Sequence, residues 1–304
     1  MDKMNRPLVS IIMNCFNGEM YLSEALKSII NQTYKNWELI FWDNISTDNS
    51  KKIFNSFNEK RFKYYLADRH TVLYEARNLA IRKAKGEFIA FLDTDDIWSK
   101  DKLSSQIGLF DNKKVGLVYG NYWRYNPISF FKKKKLAKKN NLPRGRITEF
   151  LLKEYFIGML TVVIRKKFIE QNINVFDTKF DMLSDVDFIL RFSKKYNFEC
   201  VNYPIATYRI HNDQLQSKNF LTQVDQYSKW YIKLKSTQEF GSEKKLNIIK
   251  RKVLFFKTLS LIYKKKYYES LKNIFFYPNN LDKLKLFIIL VTPNYLLRRI
   301  INLR

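Results

Sequence analysis

Long apolar runs are missing from this 304-residue sequence, acids are outnumbered, and cysteine and histidine are nearly absent. No segment approaches the roughly 20 apolar residues that a spanning helix needs. The longest late candidate, "LFIILVT" from Leu286, is stopped by Pro293. The opening "MDKMNRPLVSIIMN" starts with charge, but its apolar stretch is too short and too interrupted for a signal peptide. A soluble or peripheral protein facing the cytoplasm is the expectation. The two cysteines, Cys15 and Cys200, have no paired spacing, so they read as buried free thiols in a reducing compartment. No G-x-G-x-x-G follows the first apolar run and no G-x-x-x-x-G-K-[ST] occurs anywhere, which removes the dinucleotide fingerprint and the P-loop. There is no internal repeat.

What is present is cation and core. Lys and Arg number 55 against 29 Asp and Glu, a formal charge of +26. Such a surface attracts polyanions: nucleic acid, anionic headgroups or phosphorylated ligands. Hydrophobic residues make up 46% and aromatics 16%, enough for a sizeable core and too much for a disordered chain. The length suits one large α/β domain with an appendage, or two domains.

Apolar patterning alternates along the first 90 or so residues. "LVSIIMN", "WELIFWD", "FKYYL" and "EFIAFLD" read as strands. Between them, "EMYLSEALKSIINQ", "NISTDNSKKIFNSF" and "LYEARNLAIRKAKG" read as helices, the last with Gly86 as its C-cap. Strands alternating with helices predict an α/β fold with a mainly parallel sheet and helices on both faces. In such sheets ligands bind beyond the carboxyl ends of the strands. That rule gathers Asn14 to Asn17, Asp43 with Asn44, and Asp93 to Asp96 on one rim. Further on, "VGLVYGNYWRY", "MLTVVIR" and "FECVNYP" read as strands, and "ITEFLLKEYF" and "LSDVDFILRFSKKY" as helices. Residues 130–146 carry eight cations and no acid and read as a mobile surface loop.

In "FIAFLDTDDIW", residues 88–98, a buried strand runs straight into three carboxylates, Asp93, Asp95 and Asp96. Like charges this close repel unless a cation offsets them. A calcium loop counted from Asp93 needs Gly at its sixth place and Glu at its twelfth, where Trp98 and Ser104 stand. A hard divalent cation held by one or two carboxylates and by substrate phosphates fits better.

The run from "PLVSIIMNCFNGEMYL" through "WELIFWDNISTDNS" to "YEARNLAIRKAKGEFIAFLDTDDIW" resembles the nucleotide-binding half of family 2 glycosyltransferases with the GT-A fold. The resemblance spans residues 7 to about 105 and persists, more weakly, to about residue 213. It implies a nucleotide-sugar-dependent enzyme of the bacterial surface-glycan type, with catalytic residues 1–218. Residues 1–105 would be the nucleotide-binding half and 106–218 the acceptor-binding half. It also implies residue roles. Asn14 and Asn17 lie at the nucleotide. Asp43 and Asn44 form the pair after the second strand; Asn44 stands where the family commonly has Asp, which leaves the base identity open. Arg77 contacts the diphosphate or braces the acidic loop. Asp93 and Asp95 take the metal and ribose positions, both in the set that holds Mn2+ or Mg2+ and Asp95 as its direct ligand, with Asp96 orienting the site. His211, in "YRIH", joins the metal or diphosphate. Asp185, in "LSDVDF", matches the general base of inverting members.

From residue 219 the pattern changes to helices rich in Lys and aromatics. Residues 241–304 hold 15 cations and three acids among interleaved Phe, Tyr and Leu. Such helices lie on anionic membranes or pack as a bundle with a basic face. The expected partners are a nucleotide sugar, a glycan or lipid-linked acceptor and an anionic membrane, the protein being peripheral on the inner face of the plasma membrane. The competing reading is a nucleic-acid-binding or nucleotidyl-transfer protein using the same charge. Against it, no nucleic-acid motif appears and the cations concentrate in a loop and a tail.

Overall fold

The computed structural model describes residues 6–127, 134–169, 175–211, 220–237, 243–278 and 280–292. Of the segments singled out above, residues 130–133, 212–214, 241–242, 279 and 293–304 lie outside these. The chain divides into two units, Met1–His211 and Asn212–Arg304.

The first unit opens with β1 (Val9–Cys15), α1 (Glu19–Ile30), β2 (Trp37–Asp43), α2 (Ser50–Asn55), β3 (Phe62–Leu66), α3 (Leu73–Arg82) and β4 (Phe88–Phe91). These four strands are parallel, in the order β3-β2-β1-β4. Every residue of β1, β2 and β4 is buried, which is why their sequences are nearly unbroken apolar runs. Only β3, at the sheet edge, is half-exposed.

The chain continues with β5 (Ile97–Trp98), α4 (Lys102–Ile107), β6 (Val115–Tyr125), β7 (Lys134–Leu136), α5 (Thr148–Lys153), β8 (Val163–Arg165), α6 (Ser184–Lys195) and β9 (Asn197–Arg209). Here the pairing becomes mixed. β8 is antiparallel to both β4 and β6, β9 is parallel to β6, and β5 is antiparallel to β9. The result is one nine-stranded sheet, β3-β2-β1-β4-β8-β6-β9-β5, with β7 on β6.

Three local expectations change. The basic segment is not wholly a loop: Lys134–Leu136 pairs with Trp123–Tyr125 as β7. Exposed lysines suit an edge strand, since their charge blocks further pairing there. The strand of "FECVNYP" does not stop at its proline but runs on through "IATYR", because Pro204 sits opposite Asn121 where the β6–β9 register shifts. Gly86 is not a helix cap. α3 ends earlier, with Lys83 as its C-cap. A Cβ at Gly86 would meet Ser10 N at 2.6 Å and Leu8 O at 2.7 Å, so the glycine lets this turn lie against β1. There the Gly86 N–H donates to Ser10 Oγ (2.8 Å), which donates to Glu38 (2.6 Å).

The second unit contains α7 (Phe220–Ser236), α8 (Glu243–Tyr263), α9 (Tyr267–Phe275) and α10 (Leu281–Val291). Its core packs Phe255, Leu259 and Ile262 of α8 with Ile274, Tyr277, Leu286 and Ile289. No helix among the described residues is long and apolar enough to cross a membrane.

Candidate active site

The parallel strands end on a common rim, and the β1–α1 loop forms its first wall. Asn17 adopts φ 53° and accepts from Thr47 N at 2.8 Å, tying this loop to the one after β2. Gly18 allows a close approach to the acidic loop: a Cβ there would lie 2.9 Å from Thr94 Oγ1. Two carboxylates cross between helix starts. Asp48 accepts from Glu19 N (2.9 Å), and Glu19 accepts from Asn49 N (2.9 Å). Each thereby satisfies a free N–H at or beside the start of the other helix. Asn14 is different. It is buried, and neither its amide nitrogen nor its oxygen has a partner. An unpaired buried amide costs stability unless a ligand completes it.

The β2 end is committed to the frame. Asp43 is 1% exposed and accepts from Ser46 N (2.8 Å) and Tyr64 Oη (2.6 Å). Asn44 Oδ1 accepts from Thr71 N (3.1 Å) and Thr71 Oγ1 (3.2 Å), while its Nδ2 donates to Thr71 O (2.7 Å). Both ends of that amide are used inside the protein, so it holds the loop before α3 rather than presenting a free oxygen. Ile45 follows at φ 66°, a left-handed conformation that a β-branched residue rarely adopts. Exposed Phe16 packs on the His70 ring at 4.3 Å, beside Asn44.

After β4, the three carboxylates turn to three different partners. Arg77 Nη2 grips Asp93 at 2.5 and 2.8 Å. Arg77 is 3% exposed while the Asp93 side chain is 37% exposed, so a buried guanidinium holds a carboxylate that still opens onto the rim. Asp95 Oδ2 lies 2.9 Å from His211 Nε2. Asp96 is 2% exposed and accepts from Arg209 N at 3.0 Å; burial and the charges of Asp95 and Asp93 push its carboxyl well above the usual range. Arg209 also donates to Asp95 O (3.0 Å) and Glu24 (2.8 Å) and lies 4.2 Å from the Tyr21 ring. Thus β9 delivers both Arg209 and His211 to the acidic loop, and Tyr21 of α1 packs against both.

The last acid arrives from far along the chain. Asp185 lies in the first turn of α6 and accepts from Val186 N at 2.8 Å. Burial pushes its carboxyl above the ordinary range, while Arg77, the Val186 N–H and a hydrogen bond from the buried Tyr74 hydroxyl pull it back. Tyr74 and Arg77 are one turn apart on α3, and Arg77 lies 5.2 Å from the Tyr74 ring. Asn78, the next residue, donates to Phe176 O (2.8 Å) and accepts from Phe176 N (3.0 Å), fastening the segment that leads into α6. One helix therefore touches Asp93, Asp185 and the approach to Asp185. Asp187, two residues on from Asp185, faces away into the core and pairs with Arg191 at 2.8 Å.

The anticipated metal set is divided. Asp95 and His211 come together, Asp93 goes to Arg77, and among the described residues no three ligating side chains cluster. A buried guanidinium beside Asp93 supplies the counter-charge that a cation was expected to supply alone. Tyr74 and Tyr21 carried no readable signal in the sequence, since an aromatic on a helix looks like core.

The sheet order, with its rim beyond the parallel strand ends, is that of the GT-A fold, and solved structures agree. The S. aureus TarS 1-349 structure in complex with UDP-GlcNAc superposes with a TM-score of 0.62 at 16% identity, covering 93% of this chain and 79% of that one. The mannosyltransferase PcManGT from Pyrobaculum calidifontis, in complex with GDP-Man and Mn2+, gives 0.59 at 15% identity, covering 99% and 88%. The chain belongs to glycosyl transferase family 2, whose sequence profile matches residues 10–171. The UDP-Glc:alpha-D-GlcNAc-diphosphoundecaprenol beta-1,3-glucosyltransferase WfgD of Escherichia coli is 34% identical over 215 residues, 70% of this chain and 81% of that protein.

Proposed function

We propose that this glycosyltransferase moves a sugar from a nucleoside-diphosphate sugar to a lipid-linked glycan at the anionic inner face of the plasma membrane, with inversion at the anomeric carbon. The carrying observation is the linked pair of acids: Asp185 and Asp93 both answer to α3, one through Tyr74, the other through Arg77. The relative named above, with its diphosphoundecaprenol acceptor, supports the acceptor class. The two nucleotide-sugar complexes among the structural neighbours support the donor class.

In this reading the donor lies along the rim, with its base near Asn14, Phe16 and the loops held by Asn17, Asp43 and Asn44. Asn14 gains the hydrogen bonds it lacks. Asp93 and Arg77 face ribose and diphosphate. Asp185 accepts the proton of the acceptor hydroxyl as that oxygen bonds to the anomeric carbon; the bond from that carbon to the diphosphate oxygen breaks, and the nucleoside diphosphate departs with the electron pair. A carboxyl lifted by burial is a better proton acceptor than an ordinary one. Asp95 and His211, a carboxylate and an imidazole 2.9 Å apart, suit Mn2+ or Mg2+ that takes its other ligands from phosphate and water. When bound, the cation offsets charge on the leaving diphosphate. Residues 1–105 would serve the donor, 106–218 the acceptor, and 219–304 the membrane.

The test is a panel of UDP-glucose, UDP-GlcNAc and GDP-mannose, assayed for binding and for transfer to a lipid-diphosphate-linked sugar. Asp185→Asn should lower kcat by about 10²-fold or more and leave donor affinity nearly unchanged. Collapse of donor affinity instead would make Asp185 a binding residue. Full transfer in excess chelator would remove the cation from the scheme.

A further inference from the structure

Helices α9 and α10 are each apolar on two faces, and only one face of each is used by the core. Ile274 and Tyr277, with Leu286 and Ile289, pack on α8. Away from that core, Leu281, Leu284, Ile288 and Val291 follow one another on α10 at helical spacing, all exposed, Val291 to 79%. On α9, Tyr268, Leu271 and Phe275 do the same, with Tyr268 also 79% exposed. Single exposed apolar residues are ordinary, but contiguous stripes on consecutive helices mark a surface made to be covered.

The charge around these stripes selects the cover. Residues 264–291 contain six lysines, Lys264, Lys265, Lys266, Lys272, Lys283 and Lys285, against Glu269 and Asp282. Two copies meeting through such faces would bring like charge together, which opposes a homodimer. A bilayer containing anionic lipid offers an apolar layer for the stripes and negative headgroups for the lysines at the same depth. We propose that the open faces of α9 and α10 lie in the headgroup–acyl boundary of an anionic bilayer, parallel to its plane. This rests on, and sharpens, the membrane location proposed above by naming the surface that makes the contact.

Cosedimentation of the full chain with vesicles tests it. The protein should bind phosphatidylcholine vesicles carrying phosphatidylglycerol, and not phosphatidylcholine alone, with binding weakened by salt. The double variant Phe275→Ser with Ile288→Ser should partition about tenfold or more weakly, because each lost side chain is one that enters the interface. Both positions are exposed, so its circular dichroism and nucleotide-sugar binding should match the parent. Lys272→Glu with Lys285→Glu should flatten the dependence on anionic lipid. No binding to anionic vesicles at low salt overturns the proposal, as does a serine variant that binds like the parent. Sedimentation equilibrium showing a dimer that the serine variant dissociates assigns the faces to a second copy and also overturns it. Donor binding is measured without vesicles, so failure of the glycosyl-transfer reading and failure of the membrane surface are separately visible.

Discussion

At the scale of single residues, two positions depart from what their neighbours require. Tyr74 spends a buried hydroxyl on Asp185. Tyr74→Phe keeps the ring against Phe176, 5.3 Å away, and removes only that hydrogen bond. The variant should lower kcat by about tenfold, the scale of one bond to a charged group, with little change in donor KM. Since the hydroxyl favours the ionised carboxyl, its loss raises the Asp185 pKa, and the acid limb of the kcat–pH profile should move to higher pH. A profile that stays in place would mean that Tyr74 only packs. Ile45, at φ 66°, carries a left-handed backbone penalty of about 1–2 kcal/mol. Ile45→Gly relieves it and adds about 0.4–1 kcal/mol of unfolded-chain entropy, so a net gain of about 0.5–1 kcal/mol in urea unfolding is expected. If the same change weakens donor binding, the strained side chain is a ligand contact.

At the scale of elements, α4 contains an anomaly that pH exposes. Lys102 is 0% exposed, donates to Gln106 Oε1 at 2.8 Å and lies 4.1 Å from the Trp98 ring. Burial holds its ammonium well below the ordinary lysine range. The unfolded chain binds that proton until pH passes about 10.4, so between the folded and unfolded values the stability rises with pH. Lys102→Met removes this slope: the variant's advantage should be largest near neutral pH and shrink toward pH 10, as read from urea midpoints across pH. The same element shows where sequence reading stops. β1 to β4 were legible because each is an apolar run bounded by a helix, and parallel order follows from that alternation. β5, two residues long, and β7, a lysine-rich edge, have no pattern of their own; they exist because β9 and β6 offer free backbone edges. The acids of the site were legible because clustered carboxylates at strand ends stand out. Of their partners, Arg77 and His211 came with the family resemblance, but Arg209 did not: it reaches Asp96 across 113 positions of sequence.

At the scale of the whole molecule, the two units have separate cores. A chain ending at residue 218 should therefore keep nucleotide-sugar binding, measured by calorimetry, and lose vesicle binding. Loss of donor binding on truncation would make the second unit a structural support for the first.

Within the first unit, β4 joins the four parallel strands to the mixed part of the sheet. Phe88, Ile89 and Ala90 of β4 pair with Arg165, Ile164 and Val163 of β8. Asn78 adds a clasp on the backbone of residue 176, whose buried ring packs against Tyr74 and Phe91. The two sides of this pairing share one hydrophobic core, from Val9 and Phe88 to Val163 and Ala206, so they are expected to melt as a single cooperative unit rather than as two exchangeable pieces.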